Sequence, residues 1–323
     1  MLKRTALALL FGLLALPPQP SHGQSWPSRP IQIVVSSGAG GAADIMARLV
    51  GEQLSAALGQ PVVIENRPGA GGNTGAIAVA RANPDGYTLL MSGSPTHSVA
   101  PHLFKNLPYD PMRDAPPVAM IAVAPNLLVV NPSLPAKSVS DLVDLAREKP
   151  GTLTYSSAGI GTSGYLAAEL LKNKAQLDMT HVPYKSGPEA VTGVITGAIS
   201  FLFFTLPSVL PQVEAGHLRA LAIASAERSA LVPSVPTIAE AGYPGFDVIA
   251  WYALFAPKGT PEPVIARLNT EIEKIVARAD IRAQMAKLGA EPKYLSPKGV
   301  VDFVAHESPQ WEVLLKDIKA AAN

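Results

Sequence analysis

From Ile31 to Ser94 the chain alternates short β-branched runs with glycine-rich turns and helical stripes, and this alternation limits the fold more than any other feature. IQIVVSS (Ile31 to Ser37) reads as a buried strand; GAGGAA follows it. Ala43 to Gly59 then places Ile45, Leu49, Leu54 and Leu58 on one helical stripe that Gly59 ends. Pro61 to Asn66 reads as a second strand, Arg67 to Gly75 as a glycine-rich loop, Ala76 to Ala82 as a short helix, and Pro84 to Ser94 as a turn and third strand. Strands joined through crossover helices lie parallel, so a parallel sheet is expected.

After a proline-studded connection (Pro101 to Pro125) the pattern restarts. Leu127 to Asn131, Leu153 to Gly159, Met179 to Pro183, Ile199 to Leu206 and Leu218 to Ser225 read as strands. Helices are expected over Val139 to Gly151, Ser163 to Ala175 and around Glu189 to Thr196. The C-terminal part adds a strand at Ile249 to Pro257 and helices at Glu262 to Arg278, Ile281 to Leu288 and Lys298 to Lys319. A chain of 323 residues is long for one core, and the restart implies two α/β lobes.

Residues 1–23 read as an export signal rather than as part of the fold. Lys3 and Arg4 form a charged start, Thr5 to Leu16 is an apolar run of 12, and Ser21-His22-Gly23 supplies small residues before a cut ahead of Gln24. Twelve apolar residues fall short of the ~20 that a spanning helix needs. The mature chain is therefore expected to be soluble outside the cytoplasm. Its formal charge would pass from +1 to −1 with the loss of Lys3 and Arg4. Near-neutrality without a basic run argues against a nucleic-acid partner. The absence of cysteine excludes thiol chemistry, disulfides and a lipid anchor on sulfur.

The sharpest local motif is Gly38-Ala39-Gly40-Gly41-Ala42-Ala43, between a strand and a helix. It fits G-x-G-x-x-A, and Glu65 stands 22 residues beyond Ala43, where a dinucleotide-binding unit places its ribose-binding acid. Export and the negative charge of Asp44 at that helix start argue against a dinucleotide, which remains an alternative. Free N–H groups at a helix start attract any anion, a carboxylate included. A second polar loop, Ser156-Ser157-Ala158-Gly159-Ile160-Gly161-Thr162-Ser163, repeats the arrangement in the second lobe. Facing each other, the two loops would clamp a small anion without any arginine; as tight turns they would need only N-caps from Asp44 or Ser163. His97, His102, His181, His217 and His306 show no metal-binding spacing, and neither G-x-S-x-G nor H-E-x-x-H occurs. Trp251 and Tyr252 read as core or cleft wall. An exported α/β enzyme acting on a carboxylate is the rival reading, without an identifiable nucleophile and base.

Beyond these motifs, SRPIQIVVSSGAGGAADIMARLV, PVVIENRPGAGGNTGAIAVARANPDGYTLLMSGS, LPYDPMRDAPPV, HVPYKSGPEAVTGVITGAI, GHLRALAIASAERSALVPSVPTIAEAGYPGF and WYALFAPKGTP together resemble the Bug family, periplasmic solute-binding receptors of tripartite tricarboxylate transporters. The resemblance runs from Trp26 to the C-terminus. It implies a type II periplasmic-binding-protein fold: two α/β domains, about 26–126 plus 251–323 and 127–250, hinged by crossing strands over a ligand cleft. It further implies a carboxylate held mainly by backbone amides and bridging waters, by Ala39, Gly40, Gly41 and Asp44 on one side and Ser156, Ser157, Gly161, Thr162 and Ser163 on the other. Ser92, Ser94 and Thr96, after the third strand, are expected to line the same cleft. No cofactor, metal or catalytic residue is implied; the partners are the ligand and membrane transporter subunits or a sensor domain, with the receptor a monomer.

The chain departs from the family pattern where ligand identity is read. Ser200 and Phe204 stand at places often occupied by Asp, and Tyr165-Leu166-Ala167 replaces His-Leu-Ala. With Phe204 and Thr205 in the cleft, a ligand ammonium finds no carboxylate while an apolar or aromatic body gains a wall. A mono- or dicarboxylate with an uncharged body is expected, in preference to aspartate or glutamate.

Overall fold

A computed structural model describes residues 26–321, so the expected export signal lies outside the described residues. The first half runs β1 (Ile31–Val35), α1 (Ala42–Leu58), β2 (Val62–Asn66), α2 (Asn73–Ala80), β3 (Thr88–Gly93), a wide turn at Pro95–Val99, α3 (Ala100–Leu103), α4 (Pro111–Asp114) and β4 (Pro117–Val130). The second follows with α5 (Val139–Glu148), β5 (Thr154–Ser157), α6 (Ser163–Ala175), β6 (Thr180–Pro183), α7 (Gly187–Ile195), β7 (Phe201–Thr205), α8 (Leu206–Glu214) and β8 (Arg219–Ile223). The chain then returns to the first half through β9 (Ile249–Phe255), α9 (Glu262–Ala277), α10 (Ala279–Lys287), β10 (Glu291–Leu295) and α11 (Pro297–Ala321). Among the described residues no helix is long and apolar enough to cross a membrane.

The expectation of a parallel sheet holds only for part of the fold. β1 pairs in parallel with β2 and β3, and β5 with β6 and β7, but β9 enters antiparallel between β3 and β4. The stretch up to Pro125 is not a connection throughout: from Pro117 it is the start of the fully buried, 14-residue β4. Proline lacks an N–H and reads as a break in a strand. Here Pro117 is the first strand residue, and Pro125 falls where β4 leaves one sheet for the other. Residues 117–125 of β4 pair with β9, whereas Asn126 to Val130 pair with β7. Helix α8, which carries Pro207 and Pro211, and the short β10 were not foreseen for the same reason.

Asn126 occupies the crossing point and is fully buried. Its side-chain Nδ2 donates to Val248 O at 2.9 Å, its Oδ1 accepts from Ser163 Oγ at 3.2 Å, and its backbone carbonyl accepts from Ala224 N at 2.8 Å. One amide thus joins both strands that pass between the halves to the first residue of α6. Each half has its own apolar core, built on Ile33, Met46, Leu89 and Leu254 in the first and on Leu128, Leu166, Leu171 and Phe203 in the second. Helix α11 bridges them, since Trp311, Leu314 and Leu315 pack into the second core.

Candidate functional site

A cleft of about 110 Å3 lies between the halves, at the carboxyl ends of β1, β3, β5, β6 and β7. That end of an α/β sheet collects helix starts, each with N–H groups that have no partner inside their own helix. Helix α1 begins after Gly41, α6 after Thr162 and α7 after Ser186, and none of these starts has a side-chain cap. Gly41, Ala42 and Ala43 line the cleft from one half, and Thr162, Ser163, Gly164, Ser186 and Gly187 from the other. Uncapped helix starts bordering a shared cavity favour an anion.

The halves meet over this cleft. A methyl group on Gly38 would sit 2.9 Å from Ser186 Cβ, and one on Gly71 would sit 2.8 Å from the carbonyl oxygen of Ile160. Gly71 also has φ 63°, so both its backbone conformation and the close approach of the opposite loop require glycine. The loops of the two halves therefore touch across the cleft.

Of the residues singled out from sequence, Gly41, Ser92, Thr162, Ser163, Phe204 and Thr205 line the cavity. Ala39 and Gly40 are exposed on the first loop and do not line the cavity. Asp44 is buried but turned to its own helix, where it accepts from Gly40 N at 2.9 Å and pairs with Arg48 at 3.0 Å. Burial works against its charge, yet Arg48, Gly40 and Asn66 outweigh burial and hold the carboxyl below its ordinary value. Asp44 therefore does not cap the helix start, and its carboxylate is paired with Arg48. Ser156 donates to Ala190 O and Ser157 meets His181 Nε2 at 2.8 Å, both within the second half. Gly161 packs toward Leu103, and Ser94 is buried beside the cavity without lining it. Thr96, also fully buried, contacts Ser92 Oγ at 2.6 Å from behind the wall. Nor does Ser163 act as a cap, because its hydroxyl goes to Asn126.

Several lining residues escaped the sequence reading as site residues. Pro68, Gly69, Gly71 and Gly72, from the glycine-rich loop read at Arg67 to Gly75, line the cleft. Lys185 lines the cleft and is exposed, and no arginine is among the lining residues. Its signal was available: Lys185-Ser186-Gly187 is one more polar strand-to-helix loop. Among the described lining residues there is no Asp or Glu. Phe204 presses its ring against Gly187, and Trp251 and Tyr252 close the floor from β9. Burial pushes the Tyr252 phenol up, so it stays a neutral hydroxyl beside Thr205. No group of His, Asp and Glu among the described residues could hold a metal ion.

Comparison with known proteins agrees in sequence and in structure. The family described as tripartite tricarboxylate transporter family receptor matches residues 46–320. Protein BugT of Bordetella pertussis (strain Tohama I) is 36% identical over 302 residues, covering 93% of this chain and 93% of that protein. The structure of R. palustris Rpa4515 with adipate is 37% identical, with a TM-score of 0.88 over 90% of this chain and 97% of that one. MatC (Rpa3494) from Rhodopseudomonas palustris with bound malate is 36% identical, with a TM-score of 0.85 over 90% of this chain and 99% of that one.

Proposed function

Given that the chain belongs to the tripartite tricarboxylate transporter receptor family, we propose that it captures a small organic carboxylate in the periplasm by closing its two halves over the ligand. The observation that carries this reading is the set of uncapped helix starts at α1, α6 and α7, contributed by both halves to a cleft without any acidic lining residue. A carboxylate bridging them is held by contacts that exist only in the closed form, so binding and closure are one equilibrium. The relatives solved with adipate and malate support the ligand class.

The division proposed is 26–126 plus 251–323 against 127–250, with the hinge where β4 changes partners at Pro125 and Asn126. The receptor is exported by the signal in residues 1–23, acts as a monomer without a cofactor, and hands its ligand to membrane transporter subunits or a sensor. Ala39, Gly40, Asp44, Ser94, Thr96, Ser156, Ser157 and Gly161 shape and support the loops, while the lining residues meet the ligand. Phe204 gives an uncharged ligand body an apolar wall worth about 1 to 2 kcal/mol by area burial, and the missing acid leaves an ammonium unpaired. The protein is not an enzyme in this reading.

Calorimetry of the mature protein against succinate, adipate, phthalate and glutamate tests the proposal. Tight binding of at least one of the three acids that lack an ammonium, with glutamate weaker and every acid recovered unchanged, is expected. Turnover of a bound acid would revive the enzyme reading, and tight glutamate with none of the others would sink the ligand class.

A further inference from the structure

A chain of hydrogen-bonded side chains runs from the cleft wall into the core of the first half. Ser36 Oγ lies 2.7 Å from Ser92 Oγ, Ser92 Oγ 2.6 Å from Thr96 Oγ1, and Thr96 Oγ1 2.8 Å from His97 Nδ1. At its inner end, His97 Nε2 faces Ala115 O at 3.4 Å. Ser36 and Ser92 line the cavity, whereas Thr96 and His97 are buried behind them. Each hydroxyl has one proton, so the direction of the chain follows from its inner end.

His97 is fully enclosed, stacked on Phe255 at 3.6 Å between ring centres, and burial lowers its pKa to about 3, so the ring is neutral. Two carbonyls lie near the ring, Ala115 O and Gly93 O, and a carbonyl can only accept; with the ring proton on Nε2 toward Ala115 O, Nδ1 is left an acceptor. Thr96 must then donate to Nδ1. Its other neighbouring acceptor, Gly93 O at 3.2 Å, would also take the Thr96 proton, so under either arrangement Thr96 does not donate to Ser92. Ser92 therefore donates to Thr96, and Ser36 donates to Ser92. With its proton spent inward, the Ser36 hydroxyl faces the cleft with lone pairs alone.

We propose that Ser36 reads a hydrogen-bond donor on the ligand, a hydroxyl group, so that the cleft prefers hydroxycarboxylates over the corresponding plain acids. This rests on the carboxylate-receptor reading and sharpens it. The carboxylate belongs at the N–H-rich helix starts, because at Ser36 it would meet another acceptor. An alcohol on the carbon chain supplies the proton that Ser36 lacks. Thr96 and His97 are positioning residues: they touch no ligand, and act by fixing which way the Ser36 proton points.

Calorimetry of the mature chain with two matched pairs, succinate against malate and glutarate against 2-hydroxyglutarate, tests the assignment. In the unaltered protein at least one hydroxy acid should bind about tenfold or more tightly than its plain partner, since a buried acceptor left unpaired is costly. Ser36→Ala should bring that pair within about twofold. Thr96→Val, isosteric and remote from the ligand, should produce the same collapse because Ser92 regains a free proton and Ser36 can turn outward; a merely structural role would weaken both acids alike and leave their ratio intact. Plain acids binding as well as hydroxy acids, or a preference that survives Ser36→Ala, would overturn the inference and leave the receptor reading standing. Binding of no acid in either series would also overturn the inference, and the receptor reading would then fall only if adipate and phthalate fail to bind as well.

Discussion

The ring of Phe204 lies against Gly187 so closely that a Cβ on Gly187 would collide with it. The two residues come from the end of β7 and the start of α7, and both line the cleft. Gly187→Ala should therefore push Phe204 out of its place in the wall. A loss of at least about tenfold in acid affinity, with Tm lowered by only a few degrees, is the expected outcome by calorimetry and thermal melting, since the strain falls on a partly exposed ring. Unchanged affinity would show that Phe204 can yield freely.

Asn126 is the polar knot between the halves. Asn126→Leu would leave Val248 O without its side-chain donor and Ser163 Oγ without its acceptor, both in buried surroundings. Each unsatisfied group costs about 1 to 3 kcal/mol. Urea unfolding should show a loss of that order with an unchanged m value, and a variant as stable as the parent would remove Asn126 from the hinge.

Lys185 stands exposed at the mouth, where solvent screens its charge. Lys185→Gln should weaken binding only several-fold, mainly by slowing association with a dicarboxylate at low salt. Stopped-flow measurements should find that this difference disappears at about 0.5 M salt, where the Debye length falls to a few ångströms. A salt-independent loss would instead mean direct contact in the closed cleft.

His97 gives the fold a definite response to acid. Burial lowers its pKa from the ordinary 6.5 to about 3, so below pH 6.5 the unfolded chain binds a proton that the folded chain refuses. This residue costs no stability above pH 6.5, and its effect grows as the pH falls toward 3, at up to about 1.4 kcal/mol per pH unit. His181 is likewise lowered, to about 4, mainly by burial, and adds in the same direction with a weaker effect because it is only partly enclosed. His97→Gln should make the fall in unfolding free energy between pH 6.5 and 4.5 shallower by about one proton. An identical slope would mean that His97 titrates in the folded state.

The alternation from Ile31 to Ser94 was enough to place β1, α1, β2 and β3 within a few residues, because each is a local pattern of apolar side chains ended by glycine or proline. Proline was also what hid β4: a residue that breaks most strands is tolerated where a strand begins or changes partners, and only pairing partners distant in sequence reveal such a place. The same holds for the site. Gly41, Thr162 and Ser163 were legible because strand-to-helix loops expose N–H groups wherever they occur. That Asp44 turns back to Arg48, that Ser156 and Ser157 face away, and that Lys185 reaches the rim depend on side-chain directions set by packing between elements.

By itself, the sequence determined a two-lobed α/β chain with glycine-rich helix starts suited to an anion, since composition, periodicity and turn chemistry act over short distances. Tertiary structure alone decided which starts face one another across the cleft, that Asn126 ties the crossing strands, and that Ser36, Ser92, Thr96 and His97 form one directed chain. The reason is physical: the direction of a hydroxyl proton depends on its neighbours' unfilled acceptors, and those neighbours, Ser36 and Ser92 or His97 and Ala115, are brought together only by folding.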